Sequence, residues 1–218
     1  MNIFVLNESP FLAARDQHND HVISQTKESM QMIATTLEQS PVIAEKFERF
    51  YRTAPQMIRF STFMAMLPKP THVAHPCNVW LRESPNNLTW LINHACGLTD
   101  EYQRRYHRVH QYRPLLTVFR QLDKQINPDP SPPANFALAM PLALRGERDR
   151  ETPANAVRLY RHFYAREKIF QSGAKWKDCP EPFPLWLNEF ADEPRIAERL
   201  KELAPPKVKL NLVSFPNK

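Results

Sequence analysis

A chain of 218 residues with 42% hydrophobic and 11% aromatic content is long enough for one well-filled core and too apolar for a disordered protein. Its formal net charge of +6 and pI near 9.3 favour a polyanionic partner, most simply DNA or RNA. Three glycines exclude a Walker phosphate loop and a G-x-G-x-x-G dinucleotide fingerprint, and 21 prolines suggest helices separated by stiff connections. Cys77, Cys96 and Cys179 form no C-x-x-C pair, which suits a reducing cytoplasm better than a disulfide framework. No stretch approaches the roughly 18 apolar residues of a membrane span, and no basic segment leads into an apolar one near residue 1. A cytoplasmic protein without a membrane partner is expected.

Met1–Leu6 (MNIFVL) reads as a short apolar strand, followed by a turn and lead-in over Asn7–Ala14. Helical spacing then runs from Asp20, the expected N-cap, to Leu37, with Val22, Ile23, Met30, Ile33, Ala34 and Leu37 inward. Pro41–Tyr51 predicts a second helix facing Val42, Ile43, Phe47 and Phe50 to the core. Arg52–Thr71 is apolar and methionine-rich but lacks a clear period. His75-Pro76 opens a short helix, CNVWLRE, with proline at the favoured first position. Ser84-Pro85 repeats the device for a long helix to about Gln111, its inward stripe Leu88, Trp90, Leu91, Leu98, Tyr102 and Tyr106. Arg113–Ile126 predicts another helix and Asn127–Pro133 a proline-rich loop. Thr152-Pro153 starts a helix to about Gln171, with Ala156, Leu159, Tyr160, Phe163 and Tyr164 on its apolar face. Leu185–Phe190 and Pro194–Leu203 read as helices, and KVKLNLVSF near the end as a strand or ordered tail. The expected fold is mainly α: a compact multi-helix domain with a short N-terminal strand and a helical or irregular C-terminal extension.

His21 and Glu28 lie about two helical turns apart and so share one face. The Met1 α-amine would have an ordinary pKa of about 7.7–8.0 and be partly neutral at physiological pH. With His21 and Glu28 it makes a kit for Schiff-base chemistry on a sugar carbonyl. His94 and Glu101 repeat the same spacing on the long helix. His72-x-x-His75 has no third and fourth ligand in register, so no metal site is expected. His75, just ahead of a helix start, suits a cap or a phosphate contact better. In YQRRYHRVHQYR, at 102–113, Arg104, Arg105, Arg108 and Arg113 are candidates to neutralise phosphates, with Tyr106 and Tyr112 stacking on bases or packing. Arg158–Arg166 repeats this chemistry as an amphipathic helix with a solvated basic side. No cofactor is expected.

Several blocks recur in a familiar order: MNIFVLNESPFLAA at 1–14, the His21–Glu28 pair, HPCNVWLRES at 75–84, NLTWL at 87–91, DEYQRRY at 100–106 with His110, FALAMP at 136–141, YRHFY at 160–164 and KWK at 175–177. Together they resemble a group of phage proteins described as pyrimidine-dimer DNA glycosylases. The resemblance covers roughly 1–177, marked as the DNA-enzyme domain, and leaves 178–218 as an extension. That group is distantly similar to the small helical phage endonuclease V, a DNA-repair glycosylase and abasic-site lyase. The resemblance implies Met1 as the nucleophilic amine, His21 as the first-helix histidine and Lys27-Glu28 as the basic-acidic pair. Glu28 would handle protons at the sugar of a flipped base, and Lys27 would contact a phosphate. His75, Arg82 and His110 join the four arginines as candidate DNA or phosphate contacts. The family's processed threonine terminus is here a Met-Asn start.

The same resemblance admits a second class, DNA-modification transferases that attach an amine or amino acid to an activated 5-hydroxymethylpyrimidine. There the incoming amine attacks, Glu28 or His21 is the general base, and Arg82 or Arg105 holds the leaving pyrophosphate. A non-catalytic nucleic-acid-binding protein is the third class. DNA is the expected partner in the first two, and a small amine or amino acid is a second substrate in the transferase.

Overall fold

In the computed structural model, which describes residues 2–53 and 58–204, the chain is mainly α. The first helices are α1 (Pro10–Arg15), α2 (Asn19–Gln39), α3 (Pro41–Thr53), α4 (Phe60–Ala65) and α5 (Pro76–Glu83). They are followed by α6 (Pro85–Tyr106), α7 (Arg113–Ile126), α8 (Leu142–Arg145), α9 (Pro153–Glu167) and α10 (Pro194–Leu203). Two-residue strands, β1 (Phe136–Ala137) and β2 (Arg150–Glu151), pair antiparallel with Phe136 opposite Glu151. Lys168–Phe170 and Leu185–Phe190 form 3-10 turns. Proline occupies an opening position of α5, α6, α9 and α10, where its missing N–H needs no partner. Among the described residues no helix is long and apolar enough to cross a membrane.

Helix α6 is the centre of the packing and touches α1, α2, α5 and α7. Gly97 lets α1 approach it closely: a Cβ there would lie 3.0 Å from Ala14 Cβ and 3.3 Å from the Phe11 backbone. Met30, Ile33, Leu81, Leu91, Phe119 and Tyr160 are fully enclosed between these helices and α9. Each such side chain removed from water contributes on the order of 1.5–3 kcal/mol.

The N-terminal apolar run is buried but forms no strand. Ile3, Phe4, Val5 and Leu6 sit in the core, and the polar backbone finds side chains in place of a ladder. Ile3 N–H donates to Asn2 Oδ1 at 2.8 Å, and Leu6 C=O accepts Arg161 Nε–H at 2.9 Å. An apolar run enclosed on every side gives the same sequence signal as a buried strand. Ile23 and Val42, expected inward, face solvent.

Helix α2 starts one residue before the expected cap. His18 is the N-cap, its Nδ1 accepting the His21 N–H, and Asp20 lies inside the first turn. The long helix stops at Tyr106 rather than continuing to Gln111 because His107 takes a left-handed conformation at φ 55°. The α9 helix ends at Glu167 and tightens into the 3-10 turn that carries Lys168. Within the stretch that showed no period, α3 runs on to Thr53 and α4 covers Phe60–Ala65.

The expected break after residue 177 is not a break in packing. Trp186, Leu187, Ile196 and Leu200 belong to the same core as α2 and α9, and Trp186 Nε1 donates to Asp16 Oδ2 at 3.0 Å. The alternating segment KVKLNLVSF lies outside the described residues.

Candidate functional site

The short connection between α1 and α2 sets the site. Its backbone is held from several directions by buried polar groups. Arg105 on α6 donates to Arg15 C=O at 2.8 Å and to Gln17 C=O at 2.8 Å. Trp176 Nε1 donates to Asp16 C=O at 3.0 Å, and His94 Nε2 meets Gln17 Nε2 at 2.8 Å. Tyr164 Oη on α9 accepts the His18 N–H at 2.9 Å. These contacts fix the first turn of α2, and with it the direction in which His21 points.

His21 is buried and sits between two rings. Phe4 stacks on it at 4.5 Å and 11°, and His18 at 3.9 Å and 30°. Its Nδ1 lies 2.9 Å from Tyr164 Oη. That hydroxyl accepts from His18 N–H and keeps its own proton to donate to His21 Nδ1, an arrangement that matches the Nε2–H tautomer. Burial, then the positive influence of His18 and Lys168, pushes the His21 pKa down to about 2. The imidazole is therefore neutral at physiological pH, one ring nitrogen donating and the other accepting, and does not act there as an imidazolium acid.

One face of α2 then runs His21, Ser24, Gln25 and Glu28, the rows that helical geometry stacks above one another. These four, with Asn2 and Phe4 from the N-terminal segment and Lys168 beyond α9, line a cavity of about 250 Å³. Glu28 is half-buried; its Oε2 accepts the Asn2 N–H at 3.1 Å and a Gln25 Nε2–H at 2.8 Å. Asn2 is itself fixed, its Nδ2 donating to Ala139 C=O at 2.7 Å. The Lys168 ammonium lies 4.7 Å from the centre of the Phe163 ring and 5.9 Å from that of Phe4. The cavity thus holds one carboxylate, one amine and one neutral imidazole.

Of the expected site residues, His21 and Glu28 line this cavity together. Met1 lies outside the described residues. Lys27 is exposed beside Glu28 on the next row of α2. His75 caps α5, its Nδ1 accepting the Cys77 N–H at 3.2 Å. Burial lowers the His75 pKa while the Glu28 carboxylate acts in the opposite direction, so the two groups feel one another.

Two residues of the basic stretch, Arg105 and His110, are turned inward. Arg105 is wholly enclosed, and its five N–H groups meet Glu101, Gln17 C=O, Asn19 Oδ1 and Arg15 C=O, so no donor remains for a phosphate. The expectation of a phosphate contact at Arg105 is overturned by this burial. The same holds for His110, which is buried edge-on to Tyr102 with Nδ1 accepting the Tyr112 N–H at 3.2 Å. Arg104 binds Glu101 and the Asp178 C=O, and Arg113 binds Asp100 at 2.5 Å. Arg82 ties to Val73 C=O at 3.1 Å. Arg108 is exposed. Glu101, on the same α6 face as His94, is the anchor for Arg104 and Arg105.

A second cavity, of about 630 Å³, opens where the 178–190 segment covers the core. Its aromatic walls are Trp176, Phe183 and Trp186, and Arg15, Arg161, Asp16 and Glu101 bring charge to it. Arg161 lies over the Trp186 ring at 5.2 Å. Among the described residues no cluster of three or more histidine, cysteine, aspartate or glutamate side chains has a metal-binding arrangement.

No family model, no curated protein and no solved structure matches the chain.

Proposed function

We propose that this chain is a DNA enzyme of the glycosylase and abasic-site lyase type, acting on a single pyrimidine nucleotide drawn out of the duplex. The observation that carries the proposal is the cavity that joins Glu28, His21 and Lys168 under the N-terminal segment. Opening a deoxyribose needs an amine to add at C1′ and a base to move protons at C2′, and both group types line one small space. At about 250 Å³ the cavity falls below the roughly 300–1,000 Å³ that drug-sized ligands fill, which suits one sugar or one ring. A neutral His21 would orient and polarise without competing for the proton. The net charge of +6 supports a polyanionic substrate. Lys27, beside Glu28 and exposed, would meet a flanking phosphate. Three free cysteines, Cys77 and Cys96 buried among them, support action in a phage host's reducing cytoplasm.

The test is strand incision on two duplexes, one with an abasic site and one with a pyrimidine dimer, alongside DNA binding at rising salt. Incision of the abasic duplex and a steep loss of affinity with salt are expected. Binding that does not respond to salt, or binding without incision, would overturn the proposal. Binding without incision is what the base-modifying transferase would give. That second reading draws on the larger cavity, whose guanidinium and carboxylate groups among aromatic walls match the two charges of an amino acid.

A further inference from the structure

We propose that Lys168 is the nucleophilic amine of this site, an inference that rests on the lyase reading above. Three observations place it there. Lys168 is the side-chain amine among the residues lining the Glu28 cavity. Among the described residues no carboxylate pairs with it, and its ammonium rests over the Phe163 and Phe4 rings. A ring face holds a cation far more loosely than a carboxylate does, so the amine can leave it to react. The third observation is positional. Lys168 sits in a 3-10 turn directly after α9, whose Tyr164 holds His18 and His21, so one helix end sets both the imidazole and the amine.

The step balances with the groups present. Once Lys168 leaves the rings and comes within hydrogen-bond reach of Glu28 across the cavity, the carboxylate takes a proton from the ammonium, leaving Nζ neutral. The Nζ lone pair adds to C1′ of the ring-opened sugar, and one N–H proton passes to the former carbonyl oxygen. Glu28 returns its proton to that oxygen, the C1′–O bond breaks, and water leaves. A protonated iminium remains between Nζ and C1′. Glu28, again a carboxylate, takes a C2′ proton. That C–H electron pair forms the C2′–C3′ double bond, and the C3′–O bond breaks with its pair on the departing phosphate. Water adds to the iminium carbon and frees Lys168. Amine, carboxylate and water suffice, with no oxidant or reductant.

The experiment is sodium borohydride trapping of the full chain on an abasic-site duplex, with the adduct located by peptide mass spectrometry. Borohydride reduces the iminium to a stable secondary amine, so the attached residue is read directly. An adduct on Lys168 is expected. An adduct on another amine, the chain's α-amine included, would overturn the assignment to Lys168 and leave the lyase reading intact. No adduct with DNA still bound would overturn both. Lys168→Arg supplies the second arm, because it keeps a cation over Phe163 but cannot form the iminium. The variant should fold and bind DNA like the parent while trapping falls to background. Retained trapping in this variant would overturn the proposal whatever the mapping gives.

Discussion

The backbone N–H of Asn2 donates to Glu28 Oε2 at 3.1 Å, which ties the start of the described chain to the middle of α2. Both residues line the cavity. Asn2 is anchored on the Ala139 carbonyl and Phe4 on the His21 ring, so the N-terminal segment forms a fixed wall beside the Glu28 carboxylate. A carboxylate that accepts from an N–H and an amide is oriented before any substrate arrives, and preorganisation of this kind is worth more than a mobile acid of the same strength.

Arg105 gives the first prediction. It was expected at a DNA surface, yet it is enclosed and ties Glu101 to the α1–α2 connection. Replacing it with Met leaves buried carbonyls and part of Glu101 without partners. Arg105→Met should destabilise the fold by roughly 3–5 kcal/mol, the usual penalty for breaking a buried pair from one side. Lysine should not rescue it, because one ammonium cannot reproduce the planar fork. Arg108→Ala, at an exposed position, should leave the urea midpoint unchanged. Equal midpoints for Arg105→Met and the parent would show that the network adds nothing to stability.

Helices were legible where local chemistry decides them. Ser84-Pro85 and His75-Pro76 mark helix starts with a side-chain cap and a first-turn proline, and both begin where expected. The stripe from His21 to Glu28 was readable because helical spacing alone places those residues on one face. Three features were not readable. A histidine cap at His18 is outside the usual set of capping residues. A run of arginines gives the same signal whether it faces solvent or, as at Arg105, a ring of carbonyls. Lys168 is far from Glu28 in sequence, and only the packing of α9 against the N-terminal segment joins them. Short-range pattern carries helix starts and faces, and it carries nothing about which distant side chain completes a cavity.

The buried histidines predict acid lability. Burial lowers the pKa of His18 to about 4, of His21 to about 2 and of His94 to about 3, from an ordinary 6.5. A group whose folded pKa is depressed binds more protons unfolded, so its contribution is present above pH about 6.5 and lost as pH falls below it. Asp123 works the other way. Burial raises its pKa to about 6, so it favours the folded state most below pH about 4 and loses that contribution as pH rises to about 6. Three large downward shifts outweigh one upward shift at about 1.4 kcal/mol per unit. Urea midpoints measured from pH 7.5 to 4.5 should therefore fall with acidity. A midpoint that holds steady or rises toward pH 5 would mean that these imidazoles are not buried neutral.

Glu28→Gln is the sharpest test of the chemistry. Glutamine keeps an oxygen for the Asn2 N–H and the same reach, so the wall of the cavity and the fold should persist. What disappears is the group proposed to move protons between the amine, the departing oxygen and C2′. Single-turnover incision of an abasic duplex should fall by about 10²–10⁴, the usual worth of general acid–base catalysis, while DNA affinity stays close to that of the parent. Glu28→Asp should retain part of the rate, because the carboxylate survives one methylene short. If glutamine incises as fast as glutamate, Glu28 only positions the N-terminal segment. The base that takes the C2′ proton must then be sought elsewhere, and His75, an imidazole outside the cavity lining that feels the same carboxylate, is the next residue to replace.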